Sequence, residues 1–338
     1  MPLFDDAGNI PANTLVRPGQ FDQAGDINAA AVTEYAGHVE HTIARKSKLH
    51  GFIPVKPVRG TNKIGSYGFG DAQVQALVVG QAPPSTPSDI GRNTLTVDTV
   101  VLTRSAVPML ETFQTQYDAR QEVGVEHGLK MAKFIDQAYF IQAAKAASLT
   151  NSKYSSTAGK PSGFAGASTK VLAATGDKTD PAKLYAAIRD LFVTMEAKDV
   201  VPAEDDVMLV FRPEQFYALQ DAEQIVNGTY ITSAGTKLEN MPIFKAFGCP
   251  VVSSNNMPNT NITGHLLSNA NNGNAYDGDF TKLVGLALSP KALLAGETIP
   301  LESDLFWDKL YKTWFIDSHC AFGVTPDRAE YAGAIWLP

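Results

Sequence analysis

The stretch 107–148, VPMLETFQTQYDARQEVGVEHGLKMAKFIDQAYFIQAAKAAS, constrains this chain more than any other. Leu110, Phe113, Tyr117, Arg120 and Val123 recur every three or four positions, and Leu129, Ala132, Ile135 and Tyr139 continue the pattern. That period predicts one amphipathic helix. At 1.5 Å per residue, roughly forty residues span about 60 Å. A compact domain rarely needs such a helix, so the segment reads as a spine. Gly124 and Gly128 interrupt it. Each costs about 1 kcal/mol relative to Ala, which points to a bend or a close backbone approach.

Ahead of the spine, residues 52–106 read as β. The runs 64–69, 72–79 and 94–103 are rich in β-branched and aromatic residues. TLTVDTVVLT (94–103) alternates, placing Leu95, Val97, Thr99 and Val101 on one face. GQAPPSTPSDIGRN, between the second and third runs, is a turn-rich tip. The expectation is a long two-stranded arm. Two strands alone are marginal in water, so the arm should lie on another chain.

Residues 1–30 lack periodicity and read as an extended arm. Val32, Tyr35, Ala36, Val39 and Ile43 then mark a helix over 27–48, with Arg45, Lys46 and Lys48 in its last turn, where cations suit the helix dipole. Residues 150–179 form a Ser/Thr/Gly/Lys loop with four Lys and one Asp. Asp180 and Pro181 supply an N-cap and a first-position proline. The helix that follows carries Leu184, Ala187, Ile188, Leu191, Phe192 and Met195 on one face. A short buried strand at 207–211, a Pro-led helix at 213–224, strand or loop at 226–238 and 249–253, an Asn- and Gly-rich surface loop at 255–279 and a strand at 283–288 complete a second β/α domain over 180–300. Strands at 311–316, 319–324 and 332–337 close the chain.

Composition excludes several classes. With 338 residues, 44% hydrophobic and 19% charged, the chain is globular and long enough for about two domains. Charged residues fall below the usual quarter or so, which fits surface hidden against partners. No apolar run approaches the roughly 18 residues of a membrane span, and the N-terminus lacks a signal-peptide pattern. The net charge of -7 argues against tight non-specific nucleic-acid binding. Cys249 and Cys320 make neither a disulfide framework nor a zinc site and read as buried hydrophobes.

Catalytic signatures are missing: there is no G-x-S-x-G, H-E-x-x-H or Walker A sequence. GSYGFGDA (65–72) sits between strands with no helix following, so it is not a dinucleotide loop. His38, Glu40 and His41 share a helical neighbourhood without a third ligand nearby in sequence. Glu204, Asp205 and Asp206 read as a solvated loop. His319 and Cys320 are adjacent in a strand and point to opposite faces. Lys153, Lys160, Lys170 and Lys178 either touch phosphate or serve solubility. No catalytic residue, metal or cofactor is expected.

The order of parts (arm, helix, long hairpin, spine helix, β/α domain, returning strands) resembles the HK-97-like major capsid protein fold of tailed phages, an α+β architecture. Five stretches resemble the major capsid proteins of T-seven-like short-tailed phages (podoviruses): TIARKSKLHGFIPVKPVRGTNKIGSYGFGDAQVQALVVGQ, YDARQEVGVEHGLKMAKFIDQAYF, VMLVFRPEQFYALQDAEQIVN, GCPVVSSNNMP and FGVTPDRAEYAGAIWLP. The resemblance spans roughly residues 25–338.

The resemblance implies an N-terminal arm and helix at 1–50 and an extended loop at 51–106. It implies a peripheral domain at 107–179 and 301–338, and an axial domain at 180–300. It implies a structural protein of the virion, assembled in the host bacterial cytoplasm from hexamers and pentamers into an icosahedral head around double-stranded DNA. Expected assembly contacts are Lys63, Tyr67, Phe69, Arg92 and Arg120. Expected partners are further copies of the chain, a separate scaffolding protein, a portal protein, a decoration or cement protein, and packaged DNA through weak non-specific contact, with no membrane. No large cleaved N-terminal segment is expected, and no motif identifies an asparagine partner for a cross-link from Lys63. The alternatives are an encapsulin-type compartment shell, and an α/β enzyme that gathers His265, Asp277 and Asp279 in a pocket.

Overall fold

The computed structural model describes residues 49, 51–70, 74–77, 79–80, 90–108, 119–155, 164–221 and 244–338. The expected arm and helix before residue 49, the hairpin tip, the first turns of the spine and the 226–238 segment lie outside them. The strands and helices are β1 (Val55–Pro57), β2 (Lys63–Phe69), β3 (Ile90–Thr96), β4 (Val101–Pro108), α1 (Ala119–Ser148), β5 (Ser168–Val171), α2 (Pro181–Glu196), β6 (Met208–Phe211), α3 (Pro213–Gln220), β7 (Phe244–Ala246), β8 (Cys249–Ser253), β9 (Asn261–Ile262), β10 (Gly278–Asp279), β11 (Leu283–Leu288), β12 (Leu293–Asp308), β13 (Thr313–Pro326) and β14 (Ala332–Trp336). The chain divides into two compact units. Among the described residues, one takes in those of Thr99–Ile135 and Ile299–Ala321; the other takes in those of Lys48–Asp98, Asp136–Thr298 and Phe322–Pro338.

In the first unit, the ends of β12 and the start of β13 form a hairpin. Glu302 meets His319, Ser303 meets Ser318, Phe306 meets Phe315 and Trp307 meets Trp314, which is one unbroken register. Asp308 accepts from the Leu310 and Tyr311 N–H groups to close the turn. β4 pairs antiparallel with β13 from Thr313↔Pro108 to Cys320↔Val101. Residues 107 and 108 therefore end a strand and do not begin the spine. The sheet face bearing Ile316, Ser318 and Cys320 is buried, and Ser105 on that face meets His127 of α1. On the opposite face Arg104 grips Asp317 with Nε at 2.7 Å and Nη2 at 2.5 Å. Its guanidinium lies over both Phe306 and Phe315.

The second unit is built on a sheet ordered β5-β14-β11-β6-β8-β7. α2 covers it with the expected face: Leu184, Ala187, Ile188, Leu191, Phe192 and Met195 are buried. Asp180 caps α2 by accepting from the Ala182 and Lys183 N–H groups, with Pro181 in the first position. Gly285 of β11 lies against the Phe211 ring, where a Cβ would collide. The second half of α1 is buried on nearly every side, through Ala138, Phe140, Ile141, Ala143, Ala144, Ala146 and Ala147. Burying a large side chain such as Phe140 or Ile141 contributes about 1.5–3 kcal/mol.

Several local expectations are corrected. Residues 74–77 are not part of a strand, and the partner of β2 is Ile90–Thr96, which begins inside the stretch read as the tip. The 94–103 run is two strands with a break, in which Leu95, Val97 and Val101 are buried and Thr99 is half-buried. β12 occupies Leu293–Asp308, a stretch for which no element was expected. The 150–179 loop contains β5, which pairs parallel with β14. The 255–279 loop is anchored, with Met257, Leu267 and Tyr276 buried.

Candidate assembly surface

β2 and β3 form a two-stranded hairpin in register from Lys63↔Thr96 to Phe69↔Ile90. Strand alternation sorts its residues. Ile64, Ser66, Gly68, Gly91, Asn93 and Leu95 face inward, while Lys63, Tyr67, Phe69, Ile90, Arg92 and Thr94 face outward.

The inward face is fastened to the body of the second unit by polar groups around Asp327. Ser66 Oγ donates to Asp327 Oδ2 at 3.2 Å, and buried Asn93 donates to Asp327 Oδ1 at 3.0 Å and to the Pro326 carbonyl at 2.8 Å. The Tyr154 hydroxyl donates to the same carboxylate and lies 2.8 Å from Ser66 Oγ. Burial, together with this bond to an anion, holds the Tyr154 phenol protonated well above its ordinary pKa. Phe164 stacks on Tyr154, and Arg328 lies over the Phe164 ring. Gly68 abuts that ring so closely that a Cβ would overlap it. These residues lie up to 261 positions apart, so no local pattern announces them.

The outward face is open. Tyr67 is 59% exposed, Phe69 68% and Ile90 59%. Phe69 and Ile90 stand directly opposite, and the Arg92 guanidinium sits 5.7 Å from the Tyr67 ring centre. Each large apolar side chain left in water forgoes about 1.5–3 kcal/mol of burial. A contiguous patch of this kind marks an interaction surface. Lys63 opens the same face. Four of the five expected contact residues thus share one surface. Arg120 lies in the first turn of α1, with its side chain outside the described residues.

The remaining candidates are absorbed by local structure. Lys153 donates to Thr325 Oγ1, Lys170 pairs with Asp190, and Lys178 pairs with Glu214. They do not gather into a phosphate patch; Lys160 lies outside the described residues. Asp205 accepts from the Val201 N–H and pairs with Lys291. Asp277 accepts from the Gly264 and His265 N–H groups and from Ser268 Oγ, which hold its carboxyl down at about 2. The His265 ring stacks on Tyr276, and Asp279 caps the turn at Thr281. The enzyme alternative therefore finds its three residues making turns. His319 reaches Glu302, while Cys320 is buried on the other face. His38, Glu40 and His41 lie outside the described residues. Among the described residues no group of three or more His, Cys, Asp or Glu side chains could hold a metal, and no helix is long and apolar enough to cross a membrane. A cavity of about 220 Å³ beside α2 is lined by Phe192, Val193 and Phe247 with Arg189 and Glu196.

The contact that sequence reasoning missed is Ser105 Oγ with His127 Nε2, 2.6 Å apart. Burial pushes the His127 pKa down, against opposing pulls from Asp317 and Glu126.

Residues 93–337 match a family described as phage capsid protein. No curated protein sequence matches the chain. Among solved structures, the capsid of cyanophage P-SCSP1u is similar at a TM-score of 0.71 and 17% identity, over 85% of this chain and 86% of that one. The mature capsid of bacteriophage PhiM1 is similar at a TM-score of 0.69 and 21% identity, over 86% and 87%. A virus-like particle from Pyrococcus furiosus is similar at a TM-score of 0.52 and 9% identity, over 90% and 99%. At these identities the structures speak for the HK-97-like fold alone.

Proposed function

The chain belongs to the phage capsid protein family and is a shell protein of a phage, and from that premise we propose the particulars of its role. It assembles as hexamers and pentamers into the icosahedral head of a short-tailed phage around double-stranded DNA. The observation that carries this reading is the outward face of β2–β3: Tyr67, Phe69, Ile90 and Arg92 form an amphipathic surface that the described residues of the chain leave uncovered. Obligate assemblies bury such surfaces between subunits, commonly more than about 2,000 Å² in total.

In this reading residues 51–106 are the extended loop reaching a neighbour. Residues 107–179 and 301–338, with α1 as spine, form the peripheral domain, and 180–300 form the axial domain at capsomer centres. Lys63, Tyr67, Phe69, Arg92 and Arg120 are assembly contacts. A separate scaffolding protein, a portal protein and a decoration protein are partners, and assembly takes place in the host cytoplasm. The net charge of -7 keeps the wall's hold on packaged DNA weak. The role requires no catalysis.

The test is electron microscopy of the purified protein, alone and co-expressed with the phage's scaffold. Closed shells support the reading. A chain that stays monomeric at high concentration under both conditions overturns it.

A further inference from the structure

The segment between β13 and β14 carries a buried carboxyl with an unmet acceptor. Glu330 is 6% exposed, and its Oε2 meets no hydrogen-bond partner. Buried polar atoms are paired almost throughout native structures, so an exception calls for a reason. Two cations stand near, and both are engaged elsewhere. Arg328 Nη1 is 3.8 Å from Glu330 Oε1, beyond hydrogen-bond reach, while its guanidinium lies over the Phe164 ring at 5.3 Å from the centre. Lys198 Nζ donates to the Gly166 and Ala167 carbonyls and to Ser168 Oγ, at 3.0, 2.8 and 3.0 Å.

The arrangement suits a neutral carboxylic acid. Burial lifts the Glu330 pKa above its ordinary value and Asp327 adds to the lift, while its own N–H, Arg328 and Lys198 pull the other way. A carboxylate in the same place attracts a cation, and a guanidinium matches it with two parallel donors. Arg328 is the group able to answer. Its side chain is 41% exposed, whereas three hydrogen bonds hold Lys198 in place. Arg328 also braces Phe164, whose ring stacks on Tyr154 at 4.8 Å and leaves Gly68 of β2 no room for a Cβ.

We propose that Glu330 is a proton-operated release for the β2–β3 hairpin, acting through Arg328. With the proton on, Arg328 rests over Phe164 and the ring backs Gly68. With the proton off, the carboxylate takes Arg328 as its partner and the ring loses its cap. The proton passes to and from solvent, and no bond other than O–H changes. The charged groups that act on Glu330 are Arg328 and Asp327 from its own segment and Lys198 from beyond the end of α2. Between its unfolded and folded pKa values, the native chain keeps a proton that the unfolded chain has released. The stabilisation is therefore complete below the unfolded value of about 4.3 and is lost as pH rises through the folded one. The device belongs to the single subunit and goes beyond the shell reading.

Amide hydrogen exchange of the full, unassembled chain is the test. Protection across 63–69 and 90–96 is taken relative to unstructured rates from about pH 4 to about pH 8, with the amides of α2 as reference. Wild-type hairpin protection should fall about two- to fivefold as pH rises, the weight of one cation–ring contact. Glu330→Gln, which has no proton to release, should keep the low-pH protection throughout. Arg328→Gln leaves Phe164 uncapped at every pH, so its hairpin should stay at the lower protection with no pH response. A wild-type hairpin without a pH response, or a Glu330→Gln hairpin with the wild-type response, overturns the proposal. Where Glu330→Gln fails to fold, Arg328→Gln decides: a wild-type response there overturns the release, and a flat profile supports it. A subunit that never closes into shells still gives this reading, so the release and the shell role fail separately.

Discussion

Asn93 donates through Nδ2 to the Asp327 carboxylate at 3.0 Å, joining β3 to the segment that follows β13. The same nitrogen donates to the Pro326 carbonyl at 2.8 Å, and Asn93 is 4% exposed. The hairpin is therefore fastened by directional polar bonds, while Tyr67, Phe69 and Ile90 on its outward face stay exposed.

Replacing Asn93 by Ala leaves the Pro326 carbonyl and one lone pair of Asp327 without that donor. A buried group stripped of its partner costs about 1–3 kcal/mol. Amide hydrogen exchange across 63–69 and 90–96 should accelerate in Asn93→Ala, while exchange in α2 stays at the wild-type rate. Unchanged protection in the hairpin would show that the Asp327 cluster does not hold it.

Gly68 faces the Phe164 ring at a distance that leaves no room for a side chain. Gly68→Val forces the hairpin or the Phe164–Tyr154 stack to move, at about 1–3 kcal/mol for overpacking. A combined Gly68→Val/Phe164→Ala protein should regain part of the loss in thermal unfolding. A double variant no better than the single would place the strain elsewhere.

His127 is buried beside Ser105, with Asp317 and Glu126 as charged groups that act on it. Its folded pKa is below the unfolded value of about 6.5. Between the two values the unfolded chain takes up a proton that the native chain refuses, so stability rises with pH. The contribution is complete above about pH 6.5 and fades as pH falls toward the folded pKa. Unfolding midpoints taken from about pH 7.5 down to about pH 5 should drop more steeply for the wild type than for His127→Gln. Equal slopes would remove His127 as the titrating group.

Asp180 accepts from two N–H groups at the start of α2, at 3.0 and 3.2 Å. Asp180→Ala should cost about 1 kcal/mol in denaturant unfolding, and Asp180→Asn or Asp180→Ser should recover most of it. A loss confined to α2 exchange, with the hairpin unaffected, separates this effect from that of Asn93→Ala.

The parts legible in the sequence were those with local causes. Asp180, Pro181 and the spacing from Leu184 to Met195 announce α2 because cap, proline and period agree within one helix. The alternation of Leu95, Val97, Thr99 and Val101 predicts one shared face; the strand breaks after Thr96, yet Leu95, Val97 and Val101 are buried. β12 was missed because Gly296, Pro300 and three acidic residues from Glu302 to Asp308 dilute its β signal. Its partners are distant or downstream, so pairing and not propensity makes it a strand. The outward residues of the hairpin were readable as aromatic and basic positions in a β run. The polar root was not: Ser66, Asn93, Tyr154 and Asp327 are ordinary surface types that become a cluster only after folding.

The two buried thiols have a practical consequence. Cys320 lies in the first unit and Cys249 in the second, at 3% and 1% exposure, and burial raises the Cys249 thiol to about 11. A thiol at such a pKa is almost wholly protonated at neutral pH and slow to alkylate. Modification then requires the surrounding unit to open. Mass spectrometry of alkylated peptides thus times the opening of each unit separately, with no label engineered into the chain.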